Sequence, residues 1–196
     1  ARAGVIAAVG HTDATADVTS AAVDAGASHA THLFNGMRPL HHREPGPVGA
    51  LLDRDEVSCE VIADGVHLHD TAIRLAARAA GPGRLVLITD AMAAAGMPDG
   101  RYRLGSMWVD VAGGVARLAA DADAGAGAGS GAGAGSGAGA GSGASAGSGA
   151  GAGPRVSGAI AGSTATMASV VRHAVAAGLP VTDVAAAASS NPARLL

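Results

Sequence analysis

Val57-Ser58-Cys59-Glu60-Val61-Ile62-Ala63 and Leu85-Val86-Leu87-Ile88-Thr89 are short apolar runs separated by a segment of helical period. Each has the length and β-branched content of a strand buried on both faces. Between them, Asp70 is placed to cap a helix through Ala80, with Ile73, Ala76, Ala77 and Ala80 as its apolar stripe and Gly81-Pro82 as its stop. Strand, helix, strand predicts a parallel pair joined by a crossover, because a tight hairpin cannot join parallel neighbours.

The same grammar extends toward the N-terminus. Val5 to Val9 reads as a buried strand ending at Gly10-His11. Asp13 or Thr15 can cap a helix to Gly26, with Val18, Ala22 and Val23 on its inner face. His29 to Phe34 reads as the next strand, followed by a Pro- and Gly-rich loop and a short helix around Val48 to Leu52. His11, His32, Asp64 and Asp90 then all fall at or just beyond the C-terminal end of a strand, the face on which parallel barrels assemble their sites. No Gly-rich phosphate turn follows the first strand, which argues against a dinucleotide-binding doubly wound sheet. The fold expected from this pattern is α/β, a partial (βα)-barrel of the TIM type.

Toward the C-terminus the pattern changes. Tyr102 to Ala119 has hairpin grammar, with Trp108, Val109 and Val111 before Gly113-Gly114 and Val115, Ala116 and Leu118 after it. Residues 124 to 153 contain only Gly, Ala and Ser in a six-residue repeat. Such a tract has little apolar area to set against the ordering of its glycines, so a disordered surface insert is expected. Beyond it, Ser163 or Thr164 can cap a helix to Gly178, with Met167, Val170, Val171, Ala174 and Val175 inward. Thr182 or Asp183 can cap a further helix, and Asn191-Pro192 can start a last one. Four segments result: barrel strands and helices over 1–100, a hairpin segment over 101–123, the insert over 124–153, and a pocket loop with C-terminal helices over 154–196.

A formal net charge of -3 over 196 residues gives no long-range field to attract nucleic acid or an anionic membrane. Any anion must be held locally. No apolar run approaches the ~20 residues that span a bilayer, and no signal-peptide pattern opens the chain, so a cytoplasmic location is expected. Cys59 is the single cysteine; in its apolar run it reads as a buried, inert thiol. The chain reaches a strand by Val5 without an initiating Met, so it reads as a fragment.

Two imidazoles on neighbouring strand ends, His11 and His32, can meet on one divalent metal with a carboxylate as third ligand. Asp90 directly follows an apolar strand, a costly place for a carboxylate unless it is paired or working. Beside an activated water it can take a proton and return it to a leaving amine; the other reading of Asp90 is a turn or helix cap.

Gly10-His11-Thr12-Asp13-Ala14-Thr15, Thr31-His32-Leu33-Phe34-Asn35-Gly36-Met37, Arg43-Glu44-Pro45-Gly46, Ala63-Asp64-Gly65-Val66-His67, Thr89-Asp90-Ala91 and Ala161-Gly162-Ser163-Thr164 resemble, in this order, the N-acetylglucosamine-6-phosphate deacetylases of the amidohydrolase superfamily. The resemblance covers the chain outside the insert. It implies metal-dependent hydrolysis of the acetamide of a sugar-phosphate substrate, on a (βα)-barrel with a small β domain. It makes His11 and His32 ligands of a divalent metal, zinc or iron, and Asp90 the general base and acid. Substrate binding falls to Asn35, Gly36, Arg43, Asp64, Gly65, Val66, His67, Ile160, Ala161 and Gly162. Arg43 matches a phosphate-binding arginine that reaches a neighbouring subunit's site, which implies a homodimer. The resemblance places the acidic metal ligand and a carbonyl-orienting histidine upstream of Ala1, so the chain alone is expected to be inactive. His29, His41, His42, His69 and His173 match no role. Two other readings compete: an amidohydrolase acting on a carboxylated amide or cyclic imide, and a non-enzymatic silk-like assembly protein.

Overall fold

The computed structural model describes residues 4–119 and 158–195. The expected insert over 124–153 lies outside them. Four strands, β1 (Ala7–Val9), β2 (Ala27–Ala30), β3 (Ser58–Ile62) and β4 (Leu85–Ile88), form one sheet in the order β1-β2-β3-β4. Every pair in it is parallel. The helices α1 (Ala16–Asp24), α2 (Gly46–Leu52) and α3 (Asp70–Arg84) provide the crossovers. Sequential parallel order without a reversal is the wall of a barrel, though the sheet does not close on itself among the described residues. Its core joins β3 and β4 to the helices through Val61, Ile73, Leu85, Leu87, Val170 and Val184.

A second sheet follows, in which β5 (Gly100–Leu104), β6 (Met107–Ala112) and β7 (Val115–Leu118) run antiparallel in sequence order. Gly113 and Gly114, with φ of 59° and 73°, make the expected turn between β6 and β7. The chain closes with α4 (Met167–Ala176), α5 (Val181–Ala188) and a single turn, α6 (Ser190–Ala193). Before α4, residues 158–164 stitch the two sheets together. Leu118 N donates to Ala159 O and Ala161 N to Ala116 O on the antiparallel side; Ser163 N then donates to Asp90 O and Met92 N to Ser163 O on the parallel side.

Several local expectations are corrected. The second strand stops at Ala30 rather than Phe34, because His32 and Phe34 take φ of 26° and 76°, which extended backbone cannot accommodate. On α1 the buried residues are Thr19 and Val23, four apart and on one face, while Val18 is 60% exposed. Three caps also move. Thr15 does cap α1, but α3 is capped by the His69 ring and α4 by Thr166, not by Asp70, Ser163 or Thr164. The displaced residues bond elsewhere: Asp70 to His173, Ser163 to Asp64 and Thr164 to Gly114 O. α5 starts after Pro180 with no side-chain cap, so neither Thr182 nor Asp183 fills that place. Met167 and Val175, expected inward on α4, are each more than a third exposed; Val170 and Ala174 hold the buried stripe. Gly81 interrupts α3 as expected, at φ 68°, but a helical turn resumes beyond it to Arg84.

Candidate active site

The C-terminal ends of β1, β2 and β4 and the loop after β3 open into a cleft of about 620 Å³. His11, His32, Asn35, Gly36, His67 and Asp90 line it from the parallel side; Leu104, Met107, Leu118, Ile160, Ala161 and Gly162 close it from the other. Nine of the residues expected to form the site are thereby brought together. Arg43, Asp64, Gly65 and Val66 are not among the lining residues.

The backbone is strained where the chemistry would sit. Among the described residues the non-glycine positions with positive φ are His11 (44°), His32 (26°), Phe34 (76°) and Asp90 (51°). Each such residue costs roughly 1–3 kcal/mol and persists only where its surroundings impose it. For His32 the restraints are visible: its N–H donates to Glu60 Oε2 at 3.1 Å, Leu33 N donates to Glu60 O, and Asn35 Nδ2 donates to the His32 and Leu33 carbonyls. The other oxygen of Glu60 meets His29 Nε2 at 2.9 Å. Burial would raise the Glu60 carboxyl, but the bonds from His29 and the His32 backbone outweigh it and hold it below its ordinary value. Asp90 is fixed through its carbonyl, which accepts from Ser163 N at 2.8 Å, leaving its exposed side chain at the cleft.

His11 and His32 meet edge to face, with ring centroids 4.6 Å apart. Gly36 must be glycine for this: its φ is 62°, and a Cβ there would lie 2.7 Å from His11 Nδ1. His32 Nδ1 is buried without a hydrogen-bond partner, the condition of a nitrogen available to an ion. Among the described residues no group of three His, Cys, Asp or Glu gathers around them. The donor set therefore fits a divalent ion with two imidazoles, in keeping with zinc or iron chemistry but short of the three protein ligands usual at a catalytic site.

Behind the cleft, the Asp64 side chain makes four hydrogen bonds. Its Oδ1 accepts from Val66 N and His67 N, both at 2.9 Å, and its Oδ2 takes the Ser163 hydroxyl and His67 Nδ1, both at 2.8 Å. Burial alone would raise its pKa; these bonds reverse that and push it far below the carboxylate range. Asp64 thus faces His67 rather than the cleft. Gly65, at φ 78°, packs on His173, where a Cβ would come within 2.6 Å of Cε1, and Val66 is exposed. Arg43 is exposed on the loop before α2, its guanidinium 2.7 Å from His42 Nε2.

Glu60 and Ser163 are absent from the expected site, although both hold residues that line it. Glu60 was visible as the lone carboxylate in an otherwise apolar buried run; Ser163 reads as a helix cap and gives no sign of its pairing with Asp64. Leu104, Met107 and Leu118 reach the cleft only because the second sheet folds over it, which no local pattern reports.

Over residues 1–196 the chain matches the amidohydrolase family. It is 50% identical over 115 residues to the N-acetylglucosamine-6-phosphate deacetylase of Bacillus subtilis (strain 168), covering 59% of this chain and 29% of that protein. To the N-acetylgalactosamine-6-phosphate deacetylase of Escherichia coli O157:H7 it is 54% identical over 112 residues, 57% of this chain and 29% of the relative. Among solved structures, a point mutant of N-acetyl-D-glucosamine-6-phosphate deacetylase from Mycobacterium smegmatis in complex with N-acetyl-D-glucosamine-6-phosphate superposes with a TM-score of 0.79 at 45% identity, over all of this chain and 43% of that one. The chain thus spans less than half the length of each of these relatives.

Proposed function

Since the chain belongs to the amidohydrolase family, we propose that its cleft serves the hydrolysis of the acetamide of N-acetylglucosamine 6-phosphate to glucosamine 6-phosphate and acetate. The observation that carries this reading is the convergence of His11, His32 and Asp90, all held at positive φ, on one cleft walled by Ile160, Ala161 and Gly162. In it, His11 and His32 hold a divalent metal ion, zinc or iron. When bound, that ion polarises the acetyl carbonyl and activates water. Asp90 takes the proton of the attacking water and returns it to the departing amine. His67 and Asn35 meet the sugar phosphate, and the apolar wall of Leu104, Met107 and Leu118 excludes bulk water. Arg43 lies outside the cleft and exposed, a placement that suits service to the site of a partner in a homodimer, where its planar fork can hold two phosphate oxygens.

The match to a deacetylase of the galactosamine epimer supports a second reading, in which that epimer is the preferred substrate. The test is acetate release by the full-length protein loaded with zinc or iron, from both epimers, with and without the 6-phosphate. Release that depends on the metal and the phosphate is expected, and the faster epimer decides between the two substrates. Metal-independent turnover, or equal turnover of the unphosphorylated sugar, overturns the reading.

A further inference from the structure

The two ring nitrogens of His67 have different surroundings. Nδ1 lies 2.8 Å from Asp64 Oδ2, while Nε2 has no protein partner among the described residues and belongs to a ring that lines the cleft. The His67 and Asp64 side chains are only 6% and 4% exposed. An ionised carboxylate can only accept hydrogen bonds, so the proton between the pair resides on Nδ1. The same Oδ2 accepts from Ser163 Oγ at 2.8 Å. Ser163 in turn belongs to the segment that carries Ile160, Ala161 and Gly162, and its backbone pairs with Asp90 O and Met92 N. One carboxylate therefore connects the loop after β3, the pocket segment and the end of β4.

We propose that Asp64 and Ser163 are positioning residues that fix His67 in one ring orientation with its proton on Nδ1, so that Nε2 is the ring atom that meets the substrate. A free imidazole interchanges its tautomers and turns about its side-chain bonds; here both freedoms are removed before a ligand arrives, which lowers the ordering cost of binding. Ser163 shares the restraint: without its hydroxyl, Asp64 keeps three donors and loses the one that ties it to the pocket segment. The inference rests on the sugar-phosphate reading of the cleft only for the identity of the ligand.

The decisive measurement is the tautomeric state of His67, from nitrogen-15 spectra of the histidine-labelled, ligand-free protein, with His67 assigned by its absence in His67→Gln. The wild-type ring is expected to carry its proton on Nδ1. Asp64→Asn, whose amide can donate to Nδ1, is expected to shift the neutral ring toward the Nε2–H tautomer and to raise KM about tenfold, the low end of the loss seen when a metal-bound imidazole loses its partner, with a much smaller change in kcat. Ser163→Ala should move both readouts in the same direction by less, and Ser163→Thr should restore them. A neutral wild-type ring protonated on Nε2 overturns the proposal without any variant, as does an Asp64→Asn spectrum unchanged from wild type. The spectra need no substrate, so failure of the deacetylase reading leaves this result interpretable.

Discussion

The strands of the parallel sheet and those of the antiparallel sheet reach the same cleft with opposite surroundings. No residue of β3 or β4 is exposed and six of their nine are buried, whereas most of β5 is open to solvent and Met107 and Trp108 at the start of β6 are 47% and 44% exposed. Helices cover the first sheet at β2 to β4 over an extensive core, while β1, expected to be buried, is mostly exposed; the second sheet rests on a small cluster of Met92, Ala94, Val109, Val111, Ala116 and Ala161. Strained polar residues sit on the well-supported side, as holding a left-handed His11, His32 or Asp90 requires. The weaker sheet contributes apolar wall. Rigid support and chemistry therefore coincide, and the more exposed sheet shapes access to the cleft.

The largest test of this division sets Asp90 against Leu104. Asp90→Asn should leave metal and substrate binding intact and lower turnover by at least ~10²-fold, because an amide cannot shuttle the proton. Leu104→Ala on the opposite wall should act mainly on KM. Steady-state kinetics on both variants check this, and a comparable loss of kcat in Leu104→Ala would break the assignment of chemistry to one side.

Next in size is a pair of arginines. Arg84, at the end of α3, donates to the Arg54, Val57, Leu52 and Ala79 carbonyls at 2.9–3.0 Å and is 15% exposed. Three of these bonds are part-buried and would lose a charged donor, so Arg84→Ala should cost about 2–4 kcal/mol in chemical denaturation. Arg101 joins β5 to β6 through Asp110 at 2.6 and 3.0 Å, but it is half exposed. Arg101→Ala should lower the melting temperature less, as solvent-exposed pairs do. Equal losses would mean that the two sheets unfold as one unit.

How far the two regions were legible follows from the same contrast. In the parallel part, the continuous apolar runs and the strand-helix alternation predict β1 to β4, their parallel pairing and the gathering of His11, His32 and Asp90. Strand ends were less legible, because β2 terminates on the left-handed His32 and Phe34, and backbone sign is not written in a His or Phe. Caps misled where a side chain had a better distant partner: Asp70 found His173 and Ser163 found Asp64, 103 and 99 residues away. In the second part, Gly113-Gly114 announced the β6–β7 turn, yet the strand at β5 and the apolar wall it brings to the cleft depend on tertiary docking. Roles assigned to Asp64, Gly65 and Val66 as a group came from the resemblance; the structure separates them, with Asp64 behind His67, Gly65 against His173 and Val66 exposed.

Two glycines with nearly the same backbone sharpen the comparison further. Gly36 and Gly113 have φ of 62° and 59°, so an L-residue at either costs about 1–2 kcal/mol for the left-handed backbone. A Cβ at Gly113 meets nothing within 4 Å, while one at Gly36 meets His11 Nδ1 at 2.7 Å. Gly113→Ala should therefore show only the backbone cost. Gly36→Ala should add displacement of the His11 ring, read as lower metal content by elemental analysis. Unchanged metal content in Gly36→Ala would mean that the loop yields instead of the ring, and that His11 is not held from that side.

Cys59 gives the smallest expected signal and the most direct view of whether the parallel sheet opens alone. Its thiol is fully buried in β3, and burial pushes its pKa up to about 11, with the Arg84 charge pulling weakly the other way. Because the folded value is raised, the stabilisation from keeping the thiol neutral is complete below the unfolded value of about 8.5 and is lost as pH climbs from there toward the folded one. At pH 8 the folded thiol is both inaccessible and protonated, so a disulfide reagent should label it only through opening of the sheet. Labelling should be slow in the wild type and faster in Arg84→Ala, which loosens the end of α3 from the connection that leads into β3. In Gly113→Ala it should match the wild type if the antiparallel sheet frays independently. Acceleration by Gly113→Ala as large as that by Arg84→Ala would show one cooperative unit, joined through the 158–164 segment, and would end the division between a rigid and a yielding side. Prompt labelling of the native wild type would contradict the burial of Cys59 itself.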